Sequence, residues 1–148
     1  MNWLHRNAEM VPWLKSKDSD VRGFAAEALA RIGATRHAGA VAELLKDENG
    51  GVRTKALNSL DWLGAHEFSD EIGAMLKDEL YVNRLIALCI FNSHRIRDSS
   101  DQIAPLLRDD DNLLRNMAVR AIGATGGMEA PPKGSDPAPC VKFATEGV

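Results

Sequence analysis

Cysteine is scarce in this sequence: two among 148 residues, Cys89 and Cys140. They allow at most one disulfide and lie in unlike stretches, so a disulfide-stapled secreted scaffold is excluded and both are expected as reduced thiols in a cytoplasmic protein. Long hydrophobic runs are missing too. The longest, Leu85 to Phe91, falls far short of the roughly 20 residues that span a bilayer. The opening Met1-Asn2-Trp3-Leu4-His5-Arg6 is broken by polar residues before an apolar stretch forms, so it does not read as a secretory signal. Nor does charge of one sign dominate. Eighteen basic against 21 acidic residues leave a formal net charge of −3, and no global field draws the chain to nucleic acid or to an anionic membrane. A glycine-rich phosphate cradle is absent, and no serine or cysteine stands with a histidine in a nucleophile motif.

What the sequence does contain is an internal repeat. Leu14, Leu45, Leu76 and Leu107 recur at a step of 31 residues. The same step relates Arg22, Arg53, Arg84 and Arg115, then Ala25, Ala56, Ala87 and Ala118, then the basic row Lys15, Lys46, Lys77 and Arg108. A fixed period of this length marks a stacked repeat architecture.

Apolar spacing supplies the unit. Residues 3–16 predict one helix with Met10, Val11 and Leu14 inward, loosened at Pro12, whose counterpart three periods on is Pro105. Ser19 or Asp20 is placed to cap a helix ending at Ile32 before Gly33, with Val21, Ala25, Ala28, Leu29 and Ile32 inward. Gly39 to Asp47 predicts a second, shorter helix around Val41, Leu44 and Leu45. The pair then recurs: Gly51 to Leu63, closed by Gly64, with Ser69 to Asp78; Tyr81 to Phe91 with Asp101 to Asp109, where Ile103, Leu106 and Leu107 take the core positions; and finally Asn112 to Ile122. Ala42, Gly73 and Ala104, one period apart, are small enough for the next helix to approach closely. Neither helix of a pair can hide its apolar stripe alone, so each unit depends on its neighbours.

The fold class is therefore all-α, an α/α superhelix of about four two-helix repeats. The repeat domain is expected over 1–125, in units of about 8–18, 19–49, 50–80, 81–111 and 112–125. Residues 126–148, rich in glycine and proline, form a tail that is flexible or docked through Val141 and Phe143. The column is expected to be closed by that tail, by a partner or by further repeats.

An acidic residue closing one helix and an arginine opening the next resemble HEAT repeats. The run Asp-Val-Arg-x-x-Ala-x-x-Ala-Leu-x-x-Ile-Gly from Asp20 to Gly33 is similar to the short bacterial HEAT-like repeats first associated with phycobilisome lyases. The resemblance covers about residues 8–125 and implies a right-handed solenoid. Tetratricopeptide and ankyrin units have longer periods, and their motifs do not recur in register. An arginine in the first turn faces the positive end of the helix dipole and needs a partner. The resemblance implies a structural ladder of Asp47, Arg53, Asp78, Arg84, Asp109 and Arg115, each aspartate lying six residues before its arginine. Arg22 departs from it, since Ser16 stands where the aspartate belongs, and is expected to use Asp18, Asp20 or Asp47.

Relatives with chemistry set further tests. HEAT-type deoxyhypusine hydroxylases carry iron-binding His-Glu pairs in the first helix of a unit; Gly23-Phe24, Thr54-Lys55, Leu85-Ile86 and Asn116-Met117 stand there instead. His66-Glu67 falls in the loop after Gly64, and His37, His66 and His94 are too scattered for a metal site. No catalytic, cofactor-binding or metal-binding residues are therefore assigned, and the chain is not expected to be an enzyme. HEAT-like DNA glycosylases present a basic concave face; here the row Lys15, Lys46, Lys77 and Arg108 is diluted by acidic neighbours and suits helix C-termini, so nucleic acid is not expected as a partner.

Two surfaces are singled out. The outward positions of the first helices are Gly23, Glu27 and Ala30, then Thr54, Asn58 and Asp61, but the third copy has Leu85, Cys89 and Asn92. With Tyr81 and Ile86 that helix is apolar nearly all round, and the patch Tyr81, Leu85 and Cys89 is expected to be covered by the tail through Phe143 or by a second copy in a homo-oligomer. The shorter helices form the inner curve, where Trp13, Glu43, Lys46, Lys77 and Arg108 would face a protein or peptide partner. A non-catalytic protein-interaction scaffold is the reading preferred. The alternatives are a lyase-accessory or small-ligand role like that of the phycobilisome-lyase relatives, and weak nucleic-acid binding.

Overall fold

Apolar residues three and four apart, broken by Asp, Asn and Gly, fold as a succession of short antiparallel helix pairs. The computed structural model describes residues 3–94, 96 and 100–125, with side chains over 7–94, 96 and 100–123. Its elements are α1 (Trp3–Met10), α2 (Ser19–Arg31), α3 (Ala38–Glu43), α4 (Gly50–Leu63), α5 (Ser69–Ala74), α6 (Tyr81–His94), α7 (Ser100–Ile103) and α8 (Asn112–Thr125). Among the described residues no strand occurs. The long helices α2, α4, α6 and α8 pack each on the next, and each short helix, or the 3-10 turn that ends it, lies against the long helix that follows. The result is an α-solenoid of two layers, one of long helices and one of short.

The short helices do not stay α-helical to their ends. They tighten into 3-10 turns at Val11–Lys15, Leu44–Lys46, Met75–Lys77 and Ala104–Arg108. Pro12 and Pro105 sit at the start of their turns, where a missing N–H costs least. They mark the change of helix type, not a kink within one helix.

Caps set the unit boundaries. Asp18 Oδ1 accepts from the Asp20 N–H at 2.9 Å, so the cap of α2 is Asp18 and neither of the expected Ser19 and Asp20. Asn49 caps α4 through Gly51 and Val52, and Asp111 caps α8 through Leu113 and Leu114. At the other end Gly33 and Gly64 turn the chain with φ of +66° and +65°. Ala34 N donates to Leu29 O and Ala65 N to Leu60 O, both at 3.0 Å, the closing bonds of a left-handed helix terminus.

The core runs through the stack without a break, and Leu14, Leu45 and Leu76 are all buried in it. Leu107, expected in the same role, is 39 % exposed, while Ile103 and Leu106 beside it are buried. Its three equivalents are covered by a following hairpin, and no described hairpin follows α7. Ala42 and Gly73 are buried at the close approaches, a Cβ on Gly73 meeting Gln102 Oε1 at 2.3 Å; Ala104, at the open end, is exposed. Gly23 and Ala30 also depart from expectation. Both are buried and not outward; at Gly23 the cause is Lys55, whose aliphatic part lies over the glycine while its ammonium reaches Glu27 at 3.0 Å.

Candidate functional site

The repeated arginines are placed by their own helices and used by two units at once. Arg22, Arg53, Arg84 and Arg115 stand in the first turn of α2, α4, α6 and α8, and each Nη1 turns back to the two carbonyls five and six residues earlier. Arg53 Nη1 donates to Asp47 O at 2.8 Å and Glu48 O at 3.2 Å; Arg22 does the same to Ser16 O and Lys17 O. The rest of each guanidinium points into the next unit. Arg22 Nε and Nη2 grip Asp47 at 2.7 and 2.8 Å, and Arg53 Nε and Nη2 reach Asp78 at 2.7 and 3.2 Å. Arg84 Nε stands 3.6 Å from Asp109, an ion pair without a hydrogen bond.

The side-chain partner is thus the aspartate 25 residues ahead, not the one six residues behind. The nearer aspartate accepts its hydrogen bond from the arginine at the backbone carbonyl alone. Ser16 can stand in the first copy for this reason, since Arg22 needs its carbonyl alone. Arg115 closes the series with Asp109 O at 2.6 Å, Asp110 O at 3.0 Å and the Asn112 side chain; among the described residues it has no carboxylate partner.

The ladder moves its own ionisations. The hydrogen bond from Arg22 is the main reason that the Asp47 carboxyl lies below the usual carboxylate range, and the Asn49 N–H adds to it. For Asp78 burial is the largest single influence and pushes upward. Arg53, the Leu80 N–H and Asn83 together outweigh it, and the net direction is down. Arg22 and Arg53 are correspondingly held above the ordinary guanidinium value, chiefly by the hydrogen bonds to Asp47 and Asp78.

The layer of short helices carries the second set of residues. Lys15, Lys46, Lys77 and Arg108 are each the last residue of a 3-10 turn, and all four are exposed, as are Trp13 and Glu43. Among the described residues no carboxylate lies within 4.0 Å of these four cations. A family model of HEAT repeats matches residues 7–90, more than half of the chain. The chain belongs to the HEAT repeat family. No curated protein matches it. Repeats of this family are commonly protein-interaction scaffolds and typically not catalytic.

In this HEAT chain the expected apolar patch is open at Tyr81 alone among its three residues. Tyr81 is 40 % exposed, Leu85 packs partly buried on the core, and Cys89 is only 4 % exposed. Cys89 is also disulfide-bonded, which corrects the expectation of a reduced thiol and removes the cysteine argument for a cytoplasmic location. Cys140 and Phe143 lie outside the described residues. No helix among those described is long and apolar enough to cross a membrane.

The histidines assemble in part. His66, in a 3-10 turn after α4, lies with its ring centroid 4.2 Å from that of His94, whose Nε2 is 2.6 Å from Asp61 Oδ1. This contact ties α4 to the end of α6. Among the described residues no group of three or more His, Cys, Asp or Glu side chains is arranged to hold a metal.

Sequence reasoning missed Asn83. It is fully buried, and its Nδ2 donates to Asp78 Oδ1 at 3.1 Å while its Oδ1 accepts from Thr54 at 2.6 Å. The signal was available: the equivalent positions hold Val21, Val52 and Leu114, so an amide at a core position of the repeat pointed to a polar partner.

Proposed function

We propose that the chain is a non-catalytic protein-interaction scaffold. Residues 1–125 act as one repeat domain, 126–148 form its tail, and Trp13, Glu43, Lys46, Lys77 and Arg108 on the short-helix layer take a protein or peptide partner. The observation that carries this reading is the exposure of those side chains above a continuous core, with Trp13 58 % exposed at one end. Trp and Arg are the side chains that supply much of the binding energy at protein interfaces. A shallow face of mixed charge suits a chain-like partner better than a small ligand. The ladder of Arg22, Arg53, Arg84, Arg115, Asp47, Asp78 and Asp109 serves this role by fixing the spacing of the hairpins.

The test is affinity capture from a native lysate on the parent chain and on the double variant Lys46→Glu/Lys77→Glu. The far-UV circular dichroism of the variant should match the parent. A protein held by the parent and released by the variant is the expected result; identical retention by both would rule out this face.

A further inference from the structure

We infer that the short-helix layer is a docking stripe for an extended acidic segment in the polyproline II conformation, with a carboxylate at every third residue. The inference rests on the scaffold reading above and names the chemistry of its partner. Lys46, Lys77 and Arg108 are each followed directly by an aspartate, the natural local counter-ion. In every case that carboxylate is turned inward to the arginine of the preceding unit: Asp47 to Arg22, Asp78 to Arg53, Asp109 to Arg84. These aspartate side chains are 7 %, 6 % and 15 % exposed, and the neighbouring cations are exposed with no described carboxylate within 4.0 Å.

Spacing then selects the ligand. Gly39 lies against Phe68 and Gly73 against Gln102, so successive short-helix segments meet through their side chains; helices packed in this way stand about 8–10 Å apart, the interval we take for the equivalent cations. A polyproline II chain has three residues per turn and rises about 3.1 Å per residue, which brings every third side chain to the same face about 9 Å apart. An α-helix or a β-strand has no residue step that repeats on one face at this distance as directly. The intervening positions also fit. Pro12, Ala74 and Pro105 hold the exposed places three residues before Lys15, Lys77 and Arg108, a low ledge for the prolines of such a segment, and exposed Trp13 offers an aromatic face of the kind that docks them.

The flanks bear on register. Glu48, Glu79 and Asp110 follow the cations by two residues and are exposed; this acidic border opposes sideways drift of an acidic segment. Glu43 stands where the other copies have Pro12, Ala74 and Pro105, and its charge weakens the site locally.

Fluorescence polarisation of fluorescein-labelled (Glu-Pro-Pro)4 with the full chain tests this directly. Saturable binding is expected, about 10-fold weaker for Lys46→Glu/Lys77→Glu and about 2-fold tighter for Glu43→Gln, and weakened as salt rises. A control peptide with four consecutive glutamates followed by eight prolines has the same charge without the spacing and should bind several-fold more weakly. Absence of saturable binding by the regular peptide, equal binding of both peptides, or equally tight binding of a twelve-residue oligothymidylate would each overturn the proposal. If the lysate experiment distinguishes parent from variant while the peptide does not bind, the scaffold reading stands and the acidic ligand falls.

Discussion

At Asp47 and Asp78 a carboxylate is shared between a guanidinium of one unit and the backbone of its own turn, so protonating it breaks contacts on both sides. Both folded pKa values lie below the ordinary carboxylate value of 3.8. The contribution is therefore complete above that value and is lost as the pH falls through the depressed folded ones. Melting temperature should be flat from about pH 7 to about pH 5 and then drop steeply below about pH 4. Asp47→Asn/Asp78→Asn should melt lower near neutrality and show a shallower acid slope; parallel curves for parent and variant would place the acid sensitivity elsewhere. The recurring arginines and aspartates could be read from spacing alone, their pairing only in part: Asp47 is one of three candidates for Arg22, but the resemblance assigns Arg53 and Arg84 to the aspartates six residues before them. Asp47 is six residues from Arg53 and 25 from Arg22, and only the stacked fold brings the more distant partner to 2.7 Å. Asn83 was legible in principle, because one amide among Val21, Val52 and Leu114 breaks a register that packing otherwise enforces.

Among the elements, helix positions followed from apolar periodicity, whereas the 3-10 endings did not. Residues three apart share a face in both helix types, so the pairs Val41 and Leu44, Ile72 and Met75, and Ile103 and Leu106 are satisfied either way. Glycine is more informative. Gly33 and Gly64 were placed as terminators from their position after the last apolar residue, and both have the positive φ that such a turn requires. Nothing lies within 3.4 Å of a Cβ built on Gly64, the nearest atom being His66 Nε2 at 3.9 Å, so an alanine there would suffer from backbone conformation and not from crowding. Gly64→Ala should therefore lower stability by about 1–2 kcal/mol, the cost of a left-handed non-glycine residue. Urea unfolding measures it; a change within about 0.5 kcal/mol, the ordinary size for a surface substitution, would mean that the loop relaxes out of the left-handed turn.

For the molecule as a whole, burial depends on place in the column more than on residue type. Val119 is 61 % exposed, yet Ala26, Leu57 and Leu88, its equivalents in the three earlier copies, are fully buried. Leu107 differs from Leu45 and Leu76 in the same way. The repeat in the sequence marks these positions as identical, and it cannot show which of them another hairpin covers. Stability in such a column sums each unit and its contacts with neighbours, so one substitution made at equivalent sites should cost unequal amounts. Leu45→Ala and Leu76→Ala each empty a closed site and should cost about 2–5 kcal/mol. Leu107→Ala removes a side chain already partly in water and should cost about 1 kcal/mol, little more than its share of transfer free energy. Urea denaturation of the three variants, read by circular dichroism, compares them on one scale. Equal losses at all three sites would mean that Leu107 is as covered as its counterparts, and that the column does not end its burial at α7 and α8.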